Sequence, residues 1–190
     1  NLIYDNILYA IGHTPLIRLN NLTGENDAEV LVKFEGLNVG GSIKTRTAFA
    51  MLEAAEREGR IRKGSLIVEP TSGNQGIGLA LVGAVKGYRV VIVMPDSVSE
   101  ERRKLIAGYG AELVLIHDDG NIGECIERCI QKAGEIAKSE PDAFMPQQFE
   151  NKNNPLVHHR ETARELLDDV RGRIDGFCSG VGTGGTITGI

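Results

Sequence analysis

Lys44 closes the segment Asn38-Val39-Gly40-Gly41-Ser42-Ile43-Lys44, a glycine-serine loop that runs into a helical pattern. An amine there can attack a carbonyl if burial or positive potential lowers its pKa, and a helix start supplies some of that potential. A second loop, Pro70-Thr71-Ser72-Gly73-Asn74-Gln75-Gly76, lies between a strand pattern and a helix pattern. Its hydroxyls, amides and backbone N–H groups suit a carboxylate. A third, Gly180-Val181-Gly182-Thr183-Gly184-Gly185-Thr186, follows strand-like residues 174–179 and opens a helix at Thr186-Ile187-Thr188. Its glycines let backbone N–H groups approach an anion, and Thr183 and Thr186 add hydroxyls. A reactive amine, a polar turn and a phosphate-cradling loop suggest an enzyme that holds an aldehyde cofactor with a phosphate tail. Pyridoxal phosphate is the candidate. The third loop also satisfies G-x-G-x-x-G through Gly180, Gly182 and Gly185, and its confirming acidic residue would fall past Ile190. On this loop alone a nucleotide-binding module without catalysis stays open.

These loops need a scaffold, and the chain reads as alternating strands and helices. Helices are expected over 45–60, 76–85, from the Ser97 and Ser99 caps to 107, and over 122–139. Strands are expected over 66–68, 89–94, 111–117 and 143–145. The strands are apolar on both faces and each is followed by a helix, which implies an α/β fold with a parallel sheet covered on both sides. A second sheet is expected from residues 16–19, 30–33 and 176–178. One helical turn on the third loop is marginal alone, so the chain is expected to be a fragment cut inside a second domain.

At 190 residues, with 41% hydrophobic and 25% charged residues, the sequence can bury a sizeable core. The net charge of -5 carries no basic stripe, which argues against nucleic acid. No apolar stretch is long enough to span a bilayer, and residues 1–5 lack a signal-peptide layout, so a cytoplasmic protein is expected. Cys125 and Cys129 share a helix face and are expected in the core, with no metal site. Adjacent His158 and His159 are expected to have capping or loop roles.

Together these segments resemble the cysteine synthase and cystathionine β-synthase family, pyridoxal phosphate enzymes of fold type II. The resemblance starts at Ile11-Gly12-His13-Thr14-Pro15-Leu16-Ile17-Arg18-Leu19. It continues through the Lys44 loop, Pro70-Thr71-Ser72-Gly73-Asn74 and Glu101-Arg102-Arg103-Lys104. It then runs through Gln147-Gln148-Phe149-Glu150-Asn151 and Asn154-Pro155 to Gly182-Thr183-Gly184-Gly185-Thr186. It implies two three-layer parallel-sheet domains of the tryptophan synthase β-like fold: a smaller one over 38–147, and a truncated larger one from 1–37 and 148–190. It implies that Lys44 carries the cofactor as a Schiff base and moves protons at the substrate α-carbon. Asn74 would bond the ring hydroxyl, and Gly182, Thr183, Gly184, Gly185 and Thr186 the phosphate. Thr71, Ser72, Asn74 and Gln148 would hold the carboxylate of a small amino-acid substrate. The implied reaction is β-replacement on a serine-like amino acid through an aminoacrylate, foremost O-acetylserine plus sulfide to cysteine plus acetate. A sister enzyme using another nucleophile or acyl partner is the alternative. A homodimer, with serine acetyltransferase as a partner, is also implied. Three positions depart from the pattern: Val39 replaces a proline, Thr45 an aspartate and Gln75 a threonine. Gln75 is therefore expected to touch the substrate and to influence which one is used.

Overall fold

A computed structural model describes residues 3–190. Its strands are β1 Leu16–Arg18, β2 Leu31–Lys33, β3 Leu66–Pro70, β4 Arg89–Pro95, β5 Glu112–Ile116 and β6 Ala143–Phe144. Its helices are α1 Lys44–Arg57, α2 Asn74–Lys86, α3 Glu100–Gly108, α4 Ile122–Ser139, α5 Asn153–Val157, α6 Ala163–Val170 and α7 Gly185–Gly189. Between α5 and α6 the helix continues through a wider π turn, His158–Thr162.

The four strands β5-β4-β3-β6 form one sheet in that order, with every pair parallel. Period-two alternation divides their side chains between two cores. Ile67, Ile92 and Met94 join Leu52 of α1, Leu79 of α2 and Ile106 of α3 in one cluster. Leu66, Val68, Val91 and Val93 join Cys125, Cys129 and Ala133 of α4 in the other. Helices thus cover both faces, as the doubly apolar strands require. The two buried cysteines are free thiols that pack in the second core, and burial pushes Cys129 up to about 11. Among the described residues no cluster of three or more His, Cys, Asp or Glu could hold a metal ion, and no helix is long and apolar enough to cross a membrane.

The second sheet is smaller than the sequence reading. β1 and β2 pair antiparallel, with Ile17 opposite Val32, but residues 176–178 form no strand. Residues 171–178 are exposed, and no strand among the described residues pairs with them. Apolar composition alone cannot hold a strand whose N–H and C=O groups lack a ladder.

A buried ion cluster joins the N-terminal segment to the helices. The Arg46 side chain on α1 is fully enclosed. It donates to Glu35 (Nη2 to Oε1, 2.8 Å; Nε to Oε2, 3.0 Å) and to both oxygens of Glu165 on α6 (2.6 and 2.7 Å). Lys33 of β2 reaches Glu165 at 2.8 Å and donates to the Thr14 carbonyl at 2.6 Å. Asn38, which opens the Lys44 loop, donates to Glu35 and accepts from the Gly12 N–H. The loop carrying the candidate amine is thereby fixed on both sides.

Candidate active site

Lys44 is the first residue of α1. Its N–H donates to Ser42 Oγ at 3.3 Å, so the loop serine holds the turn that presents the amine. The side chain is half-buried, and Nζ makes no hydrogen bond or ion pair among the described residues. Burial pulls its pKa below the usual lysine value, which enlarges the share of free amine. The departure Val39 lies in this loop, and Thr45 is the second residue of α1. Val39 packs on the first core, and Thr45 is fully buried with its hydroxyl unpartnered.

The second loop leaves the C-terminal end of β3 and becomes the first turn of α2. Thr71 N–H donates to the Val93 carbonyl, and the Ser72 carbonyl accepts from Arg102 of α3 at 3.4 Å. Ser72 and Asn74 are exposed, and Thr71 is half-buried. Gln75 is placed differently. It is 2% exposed, with its amide against Thr47 of α1. The expectation put this side chain on the substrate, whereas it lies in the interface between α1 and α2.

Glu69, the one charged residue of β3, positions Gln148. Its carboxylate accepts the backbone N–H groups of Gln147 (2.9 Å) and Gln148 (3.0 Å). Burial lifts this carboxyl above its ordinary range, against the pull of those two donors. Gln147 adopts a left-handed conformation at φ 53°, so the tether holds a turn that the chain would not favour alone.

The third loop is held by Asn154 of α5. Its Nδ2 donates to the Gln148 carbonyl and to Thr183 Oγ1, both at 2.8 Å. A cavity of about 220 Å³ is lined by Gln148, Asn154, Thr183, Gly184 and Gly185. Gly184 sits at φ 79°, and a Cβ on Gly185 would lie 2.1 Å from Asn154 Oδ1, so this turn requires glycine at both. The N–H groups of Gly182, Thr183 and Gly184 donate to no acceptor among the described residues. Free donors in a glycine cradle suit a phosphate. Thr186 faces His158: its Oγ1 lies 3.4 Å from Nε2, and Nδ1 lies 3.0 Å from Thr162 Oγ1.

His158 corrects the sequence reading. It is no cap or loop residue but lies 1% exposed inside the helix, where the π turn places it. Burial, then the positive charges of Arg46 and Lys44, push its pKa down to about 4, so the imidazole is neutral near pH 7. The roles of Glu69, Asn154 and His158 went unread in the sequence. A lone glutamate in the apolar run Leu66-Ile67-Val68-Glu69 was the one available signal. The larger cleft, about 1000 Å³, lies around Thr14, Arg46 and Glu165 and includes neither Lys44, Asn74 nor the glycine loop.

A family model described as pyridoxal-phosphate dependent enzyme matches residues 7–190. The chain belongs to this family. The choice that G-x-G-x-x-G left open is thereby made in favour of pyridoxal phosphate, and the free amine and glycine cradle fit such a group. Among curated relatives, the chain is 53% identical over 187 residues to a cysteine synthase of Staphylococcus aureus strain Mu50, covering 98% of this chain and 59% of that one. It is 49% identical over 187 residues to a cysteine synthase of Flavobacterium sp. strain K3-15, with the same shares covered. Among solved structures, a hydrogen sulfide-producing enzyme from Fusobacterium nucleatum superposes with TM-score 0.92 at 44% identity, covering 100% of this chain and 60% of that one. O-ureido-L-serine synthase superposes with TM-score 0.90 at 44% identity, covering 98% and 58%. The chain therefore spans about three-fifths of the length of the relatives it matches. The α/β fold of the family is the one expected from the sequence.

Gly185→Ala is expected to weaken cofactor binding on the order of tenfold. The new Cβ must displace Asn154, which releases Thr183 and leaves a buried amide unpaired. A fluorescence titration of the full-length protein with pyridoxal phosphate measures this, and unchanged affinity would mean the loop faces another ligand.

Proposed function

We propose that the whole protein catalyses pyridoxal 5'-phosphate-dependent β-replacement, and that its reaction is that of a cysteine synthase: O-acetylserine and sulfide give cysteine and acetate. The observation that carries this is the 53% identity to a cysteine synthase across 98% of the chain. The half-buried, unpaired amine of Lys44 supports it.

In this reading Lys44 Nζ holds the cofactor's aldehyde carbon, Asn74 its ring hydroxyl, and Gly182, Thr183, Gly184, Gly185 and Thr186 its phosphate. When bound, the cofactor supplies an electron sink for charge at the substrate α-carbon. Thr71, Ser72, Asn74 and Gln148 bind and orient the substrate carboxylate. As free base, Lys44 Nζ takes the proton from the substrate Cα, and the burial that lowers its pKa favours that form. Acetate leaves from Cβ, the sulfur of hydrosulfide bonds to the same carbon, and Lys44 Nζ returns its proton to Cα to give cysteine.

The same reading assigns 38–147 to a smaller domain, and 1–37 with 148–190 to part of a larger cofactor-binding one. The Glu69 bond to the Gln148 N–H then crosses the boundary, and the bond to Gln147 lies on its near side. A homodimer and a serine acetyltransferase partner rest on the family resemblance. Two buried free thiols agree with a reducing, cytoplasmic setting. Similarity to O-ureido-L-serine synthase favours one second reading, β-replacement by a different nucleophile.

The purified full-length holoprotein, given O-acetylserine with sulfide, homocysteine or ammonia, separates the two. The expected result is sulfide-dependent cysteine and acetate in equal amounts. Product with another nucleophile and none with sulfide would replace cysteine synthase by the second reading.

A further inference from the structure

Gln75 carries an unresolved hydrogen-bond count. Thr47 Oγ1 lies 2.8 Å from Gln75 Oε1 and 2.9 Å from the Lys44 carbonyl oxygen. The first contact joins α1 to α2 and the second lies within the first turn of α1; Gln75 is 2% exposed and Thr47 fully buried. A threonine hydroxyl has one proton and cannot donate to both oxygens. Gln75 Nε2, also buried, has no partner. Turning the amide over removes the conflict at Thr47: one Nε2 proton goes to Thr47 Oγ1, whose own proton goes to the Lys44 carbonyl, and Oε1 takes the buried position that has no partner. The helices are close enough for this chain to matter. A Cβ on Gly78 of α2 would stand 3.0 Å from that same Lys44 carbonyl and 2.9 Å from Ala48 Cβ. The first turn of α1 is thus pressed on α2 at the residue that bears the amine.

We infer that Gln75 is a positioning residue for Lys44, acting through the Thr47 hydroxyl to fix the first turn of α1. This rests on the reading that Lys44 carries the cofactor. An apolar side chain of similar length would fill the space but leave the Thr47 hydroxyl undirected. The hydroxyl would then be free to turn away from the Lys44 carbonyl, and the first turn that carries the amine would lose its polar contact with α2.

The test uses the full-length protein with pyridoxal phosphate, as Gln75→Met, Thr47→Val, Thr47→Ser and the parent. Two signals are read besides activity. One is the rate at which borohydride fixes a pyridoxyl label on the Lys44 peptide. The other is the visible circular dichroism per bound cofactor, which an achiral chromophore acquires only from a fixed asymmetric setting. Gln75→Met and Thr47→Val are expected to slow labelling about three- to tenfold, the loss of one buried hydrogen bond, and to reduce the dichroism. Thr47→Ser keeps the hydroxyl and should restore both. Lower melting temperatures with unchanged labelling rate and dichroism would overturn the inference and leave Gln75 as packing. Absence of label on Lys44 in the parent would instead overturn the functional reading beneath it.

Discussion

Lys44→Ala is expected to abolish covalent attachment of pyridoxal phosphate and to lower turnover by about 10³-fold or more, because one amine both holds the cofactor and moves the α-proton. The surroundings of other lysines explain why none should substitute. Lys33 is committed to Glu165 and the Thr14 carbonyl. Lys86 pairs with Glu56, and Lys104 lies on the surface beside Glu100. Among the described residues Lys44 alone joins a half-buried position, a lowered pKa and a free Nζ. Turnover within tenfold of the parent would show that another group performs the proton transfer.

Arg46→Met is expected to destabilise the full-length protein by about 3–5 kcal/mol, since it leaves the Glu35 and Glu165 carboxylates facing each other without their shared cation. Urea unfolding at pH 7 measures this, and a change below about 1 kcal/mol would mean that water or Lys33 takes over. The same cluster sets an acid limit. Burial alone would raise Glu165, but hydrogen bonds from Arg46 and Lys33 outweigh it and hold the carboxyl down at about 2. Its folded value is depressed from an ordinary 4.5, so its contribution is complete above that value and lost as pH falls toward 2. The parent should lose stability steeply across that window, and Arg46→Met much less.

Much of this fold was legible because the signals are local. The apolar runs at 66–68 and 89–94 sit in the two central strands, and the helix read at 122–139 forms over those residues, capped by Asn121. The Lys44 loop was legible because glycine, serine and lysine announce their chemistry by type. Long-range tethers were hidden. Glu69 acts on Gln147 and Gln148, 78 and 79 residues away, and Asn154 acts on Thr183, 29 away. Neither spacing follows from a helix or strand period. His158 was read as peripheral because adjacent histidines usually point apart on a helix. The π turn and its packing on α7 turn this one inward. Gln75 sits in a polar motif, and only the close approach of α1 and α2 shows where its amide goes.

The most direct measurement is peptide mapping of the full-length protein after borohydride reduction in the presence of pyridoxal phosphate. A single pyridoxyl group on the peptide containing Lys44 is the predicted result. A label on Lys33 or Lys104, or none on any lysine, would contradict the assignment of Lys44 as the residue that carries the cofactor.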